Sequence, residues 1–448
     1  MIKKKLSTTQ IIMLSFLALI LLGSVLLALP ISAADGQAVP YLDALFTATT
    51  ATCVTGLVTL PTFSTWSLFG QIVILILIQI GGLGVVTVFS AVMILLHKRM
   101  GIGNRLLLQD AFNLNGLFGI VRFVKRVVLG TFLVEGIGAL LYLPVFVPEF
   151  GLRGIWISVF TAISAFCNAG IDIIGDNSLC NYATNPMVNL VTGLLIILSG
   201  LGYIVWWDVL QIGKRGTRRH RFRDLTLHSK IAIVTTLILV FGGGLLIFLF
   251  EYSNPLTIGN LSLGDKLQVS LFQSVTTRTA GFASVPQENL TNASSILCLL
   301  LMFIGGSPVG TAGGIKTVTI AVLAVSALAT IQNKNDVTLF HRNIPKQAIN
   351  KAVAVTAMSF AIFFVSTMLL SAVTQADVMD LLYETVSATA TVGLTRDLTP
   401  SLNGAGKAIP IATMYLGRVG PISLALALNS KTKHQNIIKN PTEEISVG

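Results

Sequence analysis

The chain has 448 residues, of which 53% are hydrophobic and only 11% are Asp, Glu, Lys or Arg, and its mean hydropathy is +0.80. Soluble domains carry about 25% charged residues, so this composition excludes a soluble globular protein, and it is far too apolar for a disordered one. The four Cys residues have no zinc-ligand spacing and are too few for a disulfide framework. The composition therefore predicts a membrane protein.

Apolar stretches long enough to cross about 30 Å of hydrocarbon alternate with shorter, half-polar ones. Eight spans are predicted, at residues 10–30, 68–96, 127–147, 187–212, 230–250, 295–330, 350–373 and 407–429. Four shorter stretches lie at residues 43–53, 157–167, 267–277 and 380–390. A helix of about ten residues rises about 15 Å, which is half a bilayer. The first apolar run resembles a signal peptide, but because many more spans follow we interpret it as a retained helix.

A glycine follows each short stretch at a nearly constant spacing. Gly56, Gly170, Gly281 and Gly393 are separated by 114, 111 and 112 residues. Such a period predicts an internal repeat. The predicted fold is an all-α membrane protein in which four parallel repeats surround one central pore. Each repeat has a first helix (M1), a re-entrant pore half-helix and a second helix (M2), which gives eight transmembrane helices. The predicted repeats are 1–103, 104–217, 218–335 and 336–430, followed by a cytoplasmic tail at 431–448.

Basic residues concentrate in alternate connections. Of the 30 Lys and Arg residues, 23 lie in the first five residues and in the segments 97–126, 213–230, 331–351 and 430–448. By the positive-inside rule, these segments and both termini are predicted to be cytoplasmic. The same distribution explains the net charge of +11 without nucleic acid as a partner. The basic loop 214–223 is predicted to contact either a partner protein or anionic membrane lipid.

The residues after each half-helix suit coordination of a monovalent cation. Irregular backbone inside a bilayer must line water or be buried in protein, so half-helices that turn back require a central cavity. Helix C-termini carry partial negative charge, and rings of backbone carbonyls can replace the hydration shell of K⁺. The absence of carboxylates at these positions argues against a divalent-cation filter. The predicted filter residues are Val54, Thr55, Gly56, Asn168, Ala169, Gly170, Thr279, Ala280, Gly281, Thr391, Val392 and Gly393.

Four charged residues stand near these segments. Asp43 and Asp380 each precede their glycine by thirteen residues, and we interpret them either as N-caps of the half-helices or simply as outer-loop acids. Arg278 breaks the fourfold pattern and is predicted to brace the loop from behind, because a guanidinium in line with the ion would repel it. Glu135 lies near the middle of the third span, and its sequence context assigns it no role.

The sixth predicted span is interrupted by five glycines and a proline between residues 305 and 316. Because Gly costs about 1 and Pro about 3 kcal/mol relative to Ala in a helix, a regular helix is not expected there. A broken helix is tolerated where it lines a cavity, and close packing through GxxxG patterns is the alternative. Arg418, near the middle of the last span, is predicted to act as a cation barrier or to hold the broken segment through its carbonyls. The alternative is an arginine bonded to backbone at a helix contact.

The four glycine segments carry a resemblance to a known family. TATCVTGL, SAFCNAGI, TTRTAGF and SATATVGL resemble the filter loops of the Trk/Ktr/HKT superfamily of potassium transporters, and the resemblance covers residues 10–429. Within that superfamily the chain looks most like the membrane subunits of bacterial Ktr systems, with four M1–pore helix–M2 units and a short tail. The resemblance implies that glycine in all four filters goes with K⁺ selectivity, whereas a serine in the first would indicate Na⁺.

The resemblance also implies a gate, partners and a location. The broken segment is similar to an intramembrane gating loop beneath the filter, and the implied gate residues are Gly305, Gly306, Gly310, Thr311, Gly313, Gly314, Lys316 and Arg418. It implies a homodimer in the bacterial cytoplasmic membrane, docked on a cytosolic octameric ring of nucleotide-binding regulatory subunits that hold ATP or ADP. It further implies activation by Na⁺. No cofactor is expected in this chain itself, and K⁺ is the expected transported ion.

The predicted function is potassium uptake through a gated filter. A symporter that couples Na⁺ or H⁺ movement to K⁺ is the alternative, but such carriers typically contain inverted repeats, whereas these repeats run parallel. An enzyme is not expected, because all five His residues lie in predicted cytoplasmic segments and no Ser/His/Asp or metal cluster is recognisable.

Overall fold

The computed structural model of the chain describes residues 7–96, 101–111, 119–214, 222–334 and 336–420. Within these ranges its helices, numbered in chain order, are α1 (Thr8–Leu27), α2 (Tyr41–Cys53), α3 (Thr62–Thr65), α4 (Leu68–Leu83), α5 (Val85–Leu95), α6 (Ile102–Ala111), α7 (Ile120–Phe150), α8 (Arg153–Cys167), α9 (Pro186–Leu201), α10 (Tyr203–Lys214), α11 (Leu227–Glu251), α12 (Leu263–Thr276), α13 (Asn292–Phe303), α14 (Thr317–Ile331), α15 (Lys346–Val373), α16 (Val378–Ala390) and α17 (Gly404–Val419). Short 3₁₀ turns lie at Pro30–Ser32, Cys180–Tyr182, Gln287–Asn289 and Thr399–Ser401. The strands β1 (Thr338–Leu339) and β2 (Arg342–Asn343) form an antiparallel hairpin.

The first helix of each predicted repeat is long and apolar. The helices α1, α7, α11 and α15 have 20 to 31 residues, and each is long and apolar enough to cross a membrane. In the described ranges these four candidate spans become six if two bent helix pairs each count as one span. Large apolar side chains on these helices point outward, such as Leu22 at 61% and Leu133 at 65% exposure. Such a surface is suited to lipid rather than to water.

A shorter, much more buried helix follows each of these long helices. The helices α2, α8, α12 and α16 have 13 to 15 residues and lie inside the ring of longer helices, with Phe46, Phe160 and Tyr383 fully buried. Their C-terminal ends agree with the predicted half-spans to within one residue, whereas their N-terminal ends begin two to four residues earlier than predicted. The core of the molecule is therefore built around these four pore helices.

The interpretation of Asp43 and Asp380 as N-caps is wrong. Each is the third residue of its helix and lies inside the first turn. Asp43 pairs with Lys407, and Asp380 accepts a hydrogen bond from Nε of Arg396 at 2.7 Å. A carboxylate in the first turn still interacts favourably with the helix dipole. Here the two ion pairs also fasten the N-terminal turns of α2 and α16 to residues of the fourth repeat, Lys407 and Arg396.

Two of the second helices are sharply bent, which the continuous spans predicted at 68–96 and 187–212 did not anticipate. The axes of α4 and α5 differ by 96°, and those of α9 and α10 by 91°. The bends occur at Gly84 (φ 85°, ψ 132°) and Gly202 (φ 84°, ψ 147°). A residue with a Cβ rarely adopts this conformation, so glycine permits the break.

The second helix of the third repeat is interrupted rather than bent. Residues 304–316, between α13 and α14, contain no helix, in agreement with the predicted break. In the fourth repeat α17 ends at Val419, so part of the span predicted at 407–429 lies outside the described residues, as do the tail at 431–448 and most of the basic loop 214–223. The repeat boundaries stay predictions.

Candidate functional site

A residue with left-handed backbone conformation follows each pore helix, directly in the first, second and fourth repeats and after two further residues in the third one. Val54, Asn168 and Thr391 follow their helices directly with φ between 52° and 58°, and Thr279, three residues past the end of α12, has φ 63°. A β-branched residue with positive φ is strained, and such strain persists only where the surrounding structure holds it. The turn redirects the chain away from each helix end, so that the predicted filter residues lie outside the helices, in segments without regular secondary structure.

A hydroxyl side chain on each pore helix fixes the filter segment beside it. Thr50 and Ser387 accept hydrogen bonds from the amides of Gly56 and Gly393, at 3.0 and 2.9 Å. In the other two repeats the hydroxyl donates instead to the carbonyl after the glycine. The Ser164 hydroxyl donates to the carbonyl of Ile171, and the Thr276 hydroxyl donates to the carbonyl of Phe282 at 2.7 Å. Sequence reasoning missed these four residues, although a hydroxyl recurs five or six positions before every filter glycine.

The four filter glycines close a ring. A Cβ on Gly56 would lie 2.5 Å from the carbonyl oxygen of Ala169, one on Gly170 would lie 2.7 Å from that of Ala280, and one on Gly281 would lie 2.5 Å from that of Val392. A Cβ on Gly393 would meet the carbonyl oxygen of Thr55, which returns to the first segment. Each glycine thus faces the residue before the glycine of the next repeat. The four glycines and the four residues before them are therefore brought together around one axis, and all twelve predicted filter residues are buried.

The broken segment 304–316 lies against the second repeat. The Ser307 amide donates to the carbonyl of Gly200 at 2.7 Å, and the Tyr203 amide donates to the carbonyl of Val309 at 3.1 Å. A Cβ on Gly310 would lie 2.6 Å from the carbonyl oxygen of Ser199. The segment therefore contacts the second repeat at the bend between α9 and α10.

The same segment touches the ends of the pore helices. The Thr311 hydroxyl donates to the carbonyl of Phe166 at 3.1 Å, and the Gly313 amide donates to Oγ1 of Thr279, also at 3.1 Å. Lys316 Nζ donates to the carbonyl of Ala312 at 2.6 Å, which curls the end of the segment on itself. The predicted gate residues in 305–316 consequently lie together beside the filter, in contact with its supporting helices.

Arg418 on α17 joins this segment to the first repeat. Its Nη1 donates to the carbonyl of Thr311 at 2.7 Å, and its Nη2 donates to the carbonyl of Gly81 at 2.6 Å. Charge-assisted hydrogen bonds of this length are about twice as strong as neutral ones. One guanidinium thereby links three repeats at the level of the broken segment.

Arg278 lies behind the third filter segment. Its Nη2 donates to Oγ1 of Thr236 at 3.3 Å and to the carbonyl of Gly305 at 3.4 Å, while its Nε has no hydrogen-bond partner. Its side chain is 4% exposed. The arginine therefore contacts the first part of the broken segment as well as the wall behind the filter.

A carboxylate stands just outside the second filter segment. Asp172, two residues after Gly170, lies in the connection between α8 and α9 and accepts a hydrogen bond from the Ile174 amide at 3.2 Å. Burial raises the pKa of Asp172 from 3.8 to about 6, although hydrogen bonds from Ile174 and Ser178 oppose the shift. Its charge therefore changes in the mildly acidic range.

Comparison with known proteins identifies the family. Residues 5–439 match the family model TrkH, described as a cation transport protein. The chain is 40% identical to the Ktr system potassium uptake protein B of Bacillus subtilis, over 98% of this chain and 96% of the relative. It is 38% identical to the potassium/sodium uptake protein NtpJ of Enterococcus hirae, over 100% and 98%.

A solved structure shares the fold. The crystal structure of the potassium transporter TrkH from Vibrio parahaemolyticus superimposes with a TM-score of 0.76 at 17% identity, covering 96% of this chain and 86% of that one. The predicted all-α membrane fold is thereby confirmed. The expectation of a transporter rather than an enzyme also agrees with the family match, since the chain belongs to the TrkH family of cation transport proteins.

Proposed function

We propose that this chain is the ion-translocating subunit of a bacterial potassium uptake system. The observation that carries the proposal is the ring of four glycine segments, in which each glycine faces a backbone carbonyl of the next repeat. Rings of backbone carbonyls can replace the hydration shell of K⁺. The names of the relatives from Bacillus subtilis and Enterococcus hirae, both potassium uptake proteins, support K⁺ as the substrate.

The proposed filter consists of the backbone carbonyls of the twelve residues predicted from the sequence. No side chain is required as a ligand, because carbonyl oxygens alone match a monovalent cation. The hydroxyls of Thr50, Ser164, Thr276 and Ser387 hold the filter segments in place. Filter geometry thus depends on bonds from each pore helix to its own glycine loop.

The proposed gate is the segment 304–316 together with Arg418. The segment lies across the ends of α8 and α12 and is held by Thr311, whose hydroxyl binds one pore helix and whose carbonyl accepts from Arg418. Its five glycines and its lack of helix make it the part of the second helices best suited to move. Release of the Thr311 contacts would open the path beneath the filter.

Regulation in this proposal comes from outside the chain. We infer a homodimer in the bacterial cytoplasmic membrane, with both termini in the cytoplasm, bound to a cytosolic ring of nucleotide-binding subunits that hold ATP or ADP. The relative's name describes one protein of a Ktr system, which supports a further component. Activation by Na⁺ is part of the proposal, and the potassium/sodium name of the Enterococcus hirae relative is consistent with it.

The test is ⁸⁶Rb⁺ flux into proteoliposomes that contain only this purified chain. We expect slow flux down the K⁺ gradient that excludes Na⁺, and a rise of tenfold or more, about 1.4 kcal/mol of gate stability, when residues 310–314 are deleted. Protein-free liposomes are the control. Unchanged or abolished flux in the deletion variant would contradict the gate. Accumulation of K⁺ against its own gradient, driven by an inward Na⁺ or H⁺ gradient, would instead establish the symporter.

A further inference from the structure

The structure contains a buried carboxylate beside the gate that the proposed function does not use. Glu135 lies on α7 in the interior of the membrane region and is only 4% exposed. An ionisable residue at this depth is unfavourable and is rarely retained without a specific partner. Its partner here is Gln79 on α4, whose Nε2 donates to both carboxylate oxygens, at 3.1 and 3.2 Å.

Glu135 also contacts the end of the second pore helix. The Cys167 thiol, at the last residue of α8, lies 3.8 Å from Oε1 of Glu135 and 3.9 Å from Oε1 of Gln79. The backbone of α4 closes over the same thiol, because a Cβ on Gly82 would lie 2.6 Å from Cys167 Sγ. The carboxylate therefore holds together the C-terminal ends of α4 and α8.

These two helix ends are the supports of Thr311. The carbonyl of Phe166, one residue before Cys167, accepts the Thr311 hydroxyl. The carbonyl of Gly81, two residues after Gln79, accepts Nη2 of Arg418, whose Nη1 binds the Thr311 carbonyl. A shift of either helix end by about 1 Å would stretch these bonds beyond hydrogen-bonding distance.

We propose that Glu135 is a positioning residue of the closed gate, which fixes the distance between the Phe166 and Gly81 carbonyls and so stabilises the segment 304–316 in contact with the filter. This role rests on the proposed gate. Glu135 acts through its hydrogen-bond partners Gln79 and Cys167. Loss of its carboxylate leaves the segment 304–316 unchanged in sequence, but the Phe166 and Gly81 carbonyls that hold it are no longer kept at a fixed distance from each other.

The test compares partner-free ⁸⁶Rb⁺ flux in Glu135→Gln, Glu135→Leu and the double variant Gln79→Leu/Glu135→Leu. We expect two- to threefold higher flux in Glu135→Gln, which keeps one oxygen for Gln79, and five- to tenfold higher flux in the leucine variants. In an Arg418→Leu background, Glu135→Leu should add nothing further, because both changes release the same contact. A purely structural role would not show this lack of additivity.

The matched control is Tyr142→Phe on the same helix, two turns further along. Tyr142 is fully buried, and its hydroxyl lies 2.6 Å from that of Thr192 on α9, away from the broken segment. Flux in this variant should equal that of the wild type. Wild-type or lower flux in Glu135→Gln, or an equal rise in Tyr142→Phe, would overturn the role of Glu135 if deletion of 310–314 still raises flux. Unchanged flux in that deletion variant would remove the gate itself, and this role with it.

Discussion

Replacement of Gly310 by Ala is the most direct test of how tightly the segment 304–316 is held. The new Cβ would lie 2.6 Å from the carbonyl oxygen of Ser199 and 3.3 Å from the Cα of Gly202. Both are backbone atoms and cannot rotate away. Since ordinary contacts of a Cβ begin near 3.4 Å, the segment must withdraw by about 0.8 Å from α9, or α9 must yield by the same distance.

That displacement breaks specific hydrogen bonds. The Tyr203 amide lies 3.1 Å from the Val309 carbonyl, and the Ser307 amide lies 2.7 Å from the Gly200 carbonyl. A withdrawal of about 0.8 Å carries both to or beyond about 3.5 Å, and each lost bond is worth about 1 kcal/mol. Destabilisation of the closed segment by about 1–2 kcal/mol shifts the gate equilibrium by about 5- to 30-fold.

The assay is partner-free ⁸⁶Rb⁺ flux of Gly310→Ala in proteoliposomes, normalised to the amount of folded protein. The matched control is Gly200→Ala on the facing helix, where a Cβ would have no neighbour within 4 Å. Flux should rise about 5- to 30-fold in the first variant and stay at the wild-type level in the second. Equal flux in the wild type and Gly310→Ala, with both folded, would refute the argument that these contacts keep the gate closed.

Two further predictions concern the filter and its outer mouth. Gly56→Ser should reduce selection of K⁺ over Na⁺ by about tenfold, or ~1.4 kcal/mol. The reason is that Gly56 has φ 102° and that a Cβ there would press on the Ala169 carbonyl. Bi-ionic potentials measure the permeability ratio, and an unchanged ratio would contradict the filter assignment. K⁺ uptake at low ionic strength should fall by about twofold as the external pH drops through about 6. Asp172 is charged above its raised pKa and neutral below it, so at lower pH it no longer attracts cations. Uptake by Asp172→Asn should be lower and flat across this range, and a pH profile equal to that of the wild type would exclude Asp172 as the titrating group.

Local signals in the sequence were sufficient to predict the C-terminal ends of the pore helices. Each half-helix ends where small and polar residues lead to a glycine, and this pattern occurs in all four repeats. Their N-terminal ends begin two to four residues earlier than predicted. The added residues are charged in some helices, such as Arg153 and Asp265, and apolar in others, such as Tyr41 and Val378, so hydropathy marks no common boundary there. Asp43 was misinterpreted as an N-cap because α2 begins two residues before it, and its pairing with Lys407, 364 residues away, has no local signal in the sequence.

The bends in the second helices could not be predicted from the sequence pattern. Apolar residues lie on both sides of Gly84 and Gly202, and the small residues just before them, Gly81-Gly82 and Ser199-Gly200, are as compatible with close packing as with a break. Only the tertiary structure decides between close packing and a break, because a break is stabilised by the residues that pack against it. At Gly202 that neighbour is the broken segment, for a Cβ there would collide with the carbonyl of Pro308.

The position of Arg418 explains how a fourfold scaffold can support the single gate proposed above. Each second helix carries a four-residue segment at the same level: Gly81 to Gly84, Ser199 to Gly202, Gly305 to Pro308 and Gly417 to Gly420. Arg418 occupies the second position, where the other three repeats have glycine. Four guanidiniums around one axis would oppose the entry of any cation, since two unit charges 4 Å apart repel by about 4 kcal/mol at an effective dielectric constant of 20. One guanidinium, bound to the carbonyls of Gly81 and Thr311, has its charge partly compensated while it holds the segment that must move. The asymmetry between repeats therefore allows a positive charge beside the proposed cation path, and it restricts the proposed gating to the one helix that contains the break.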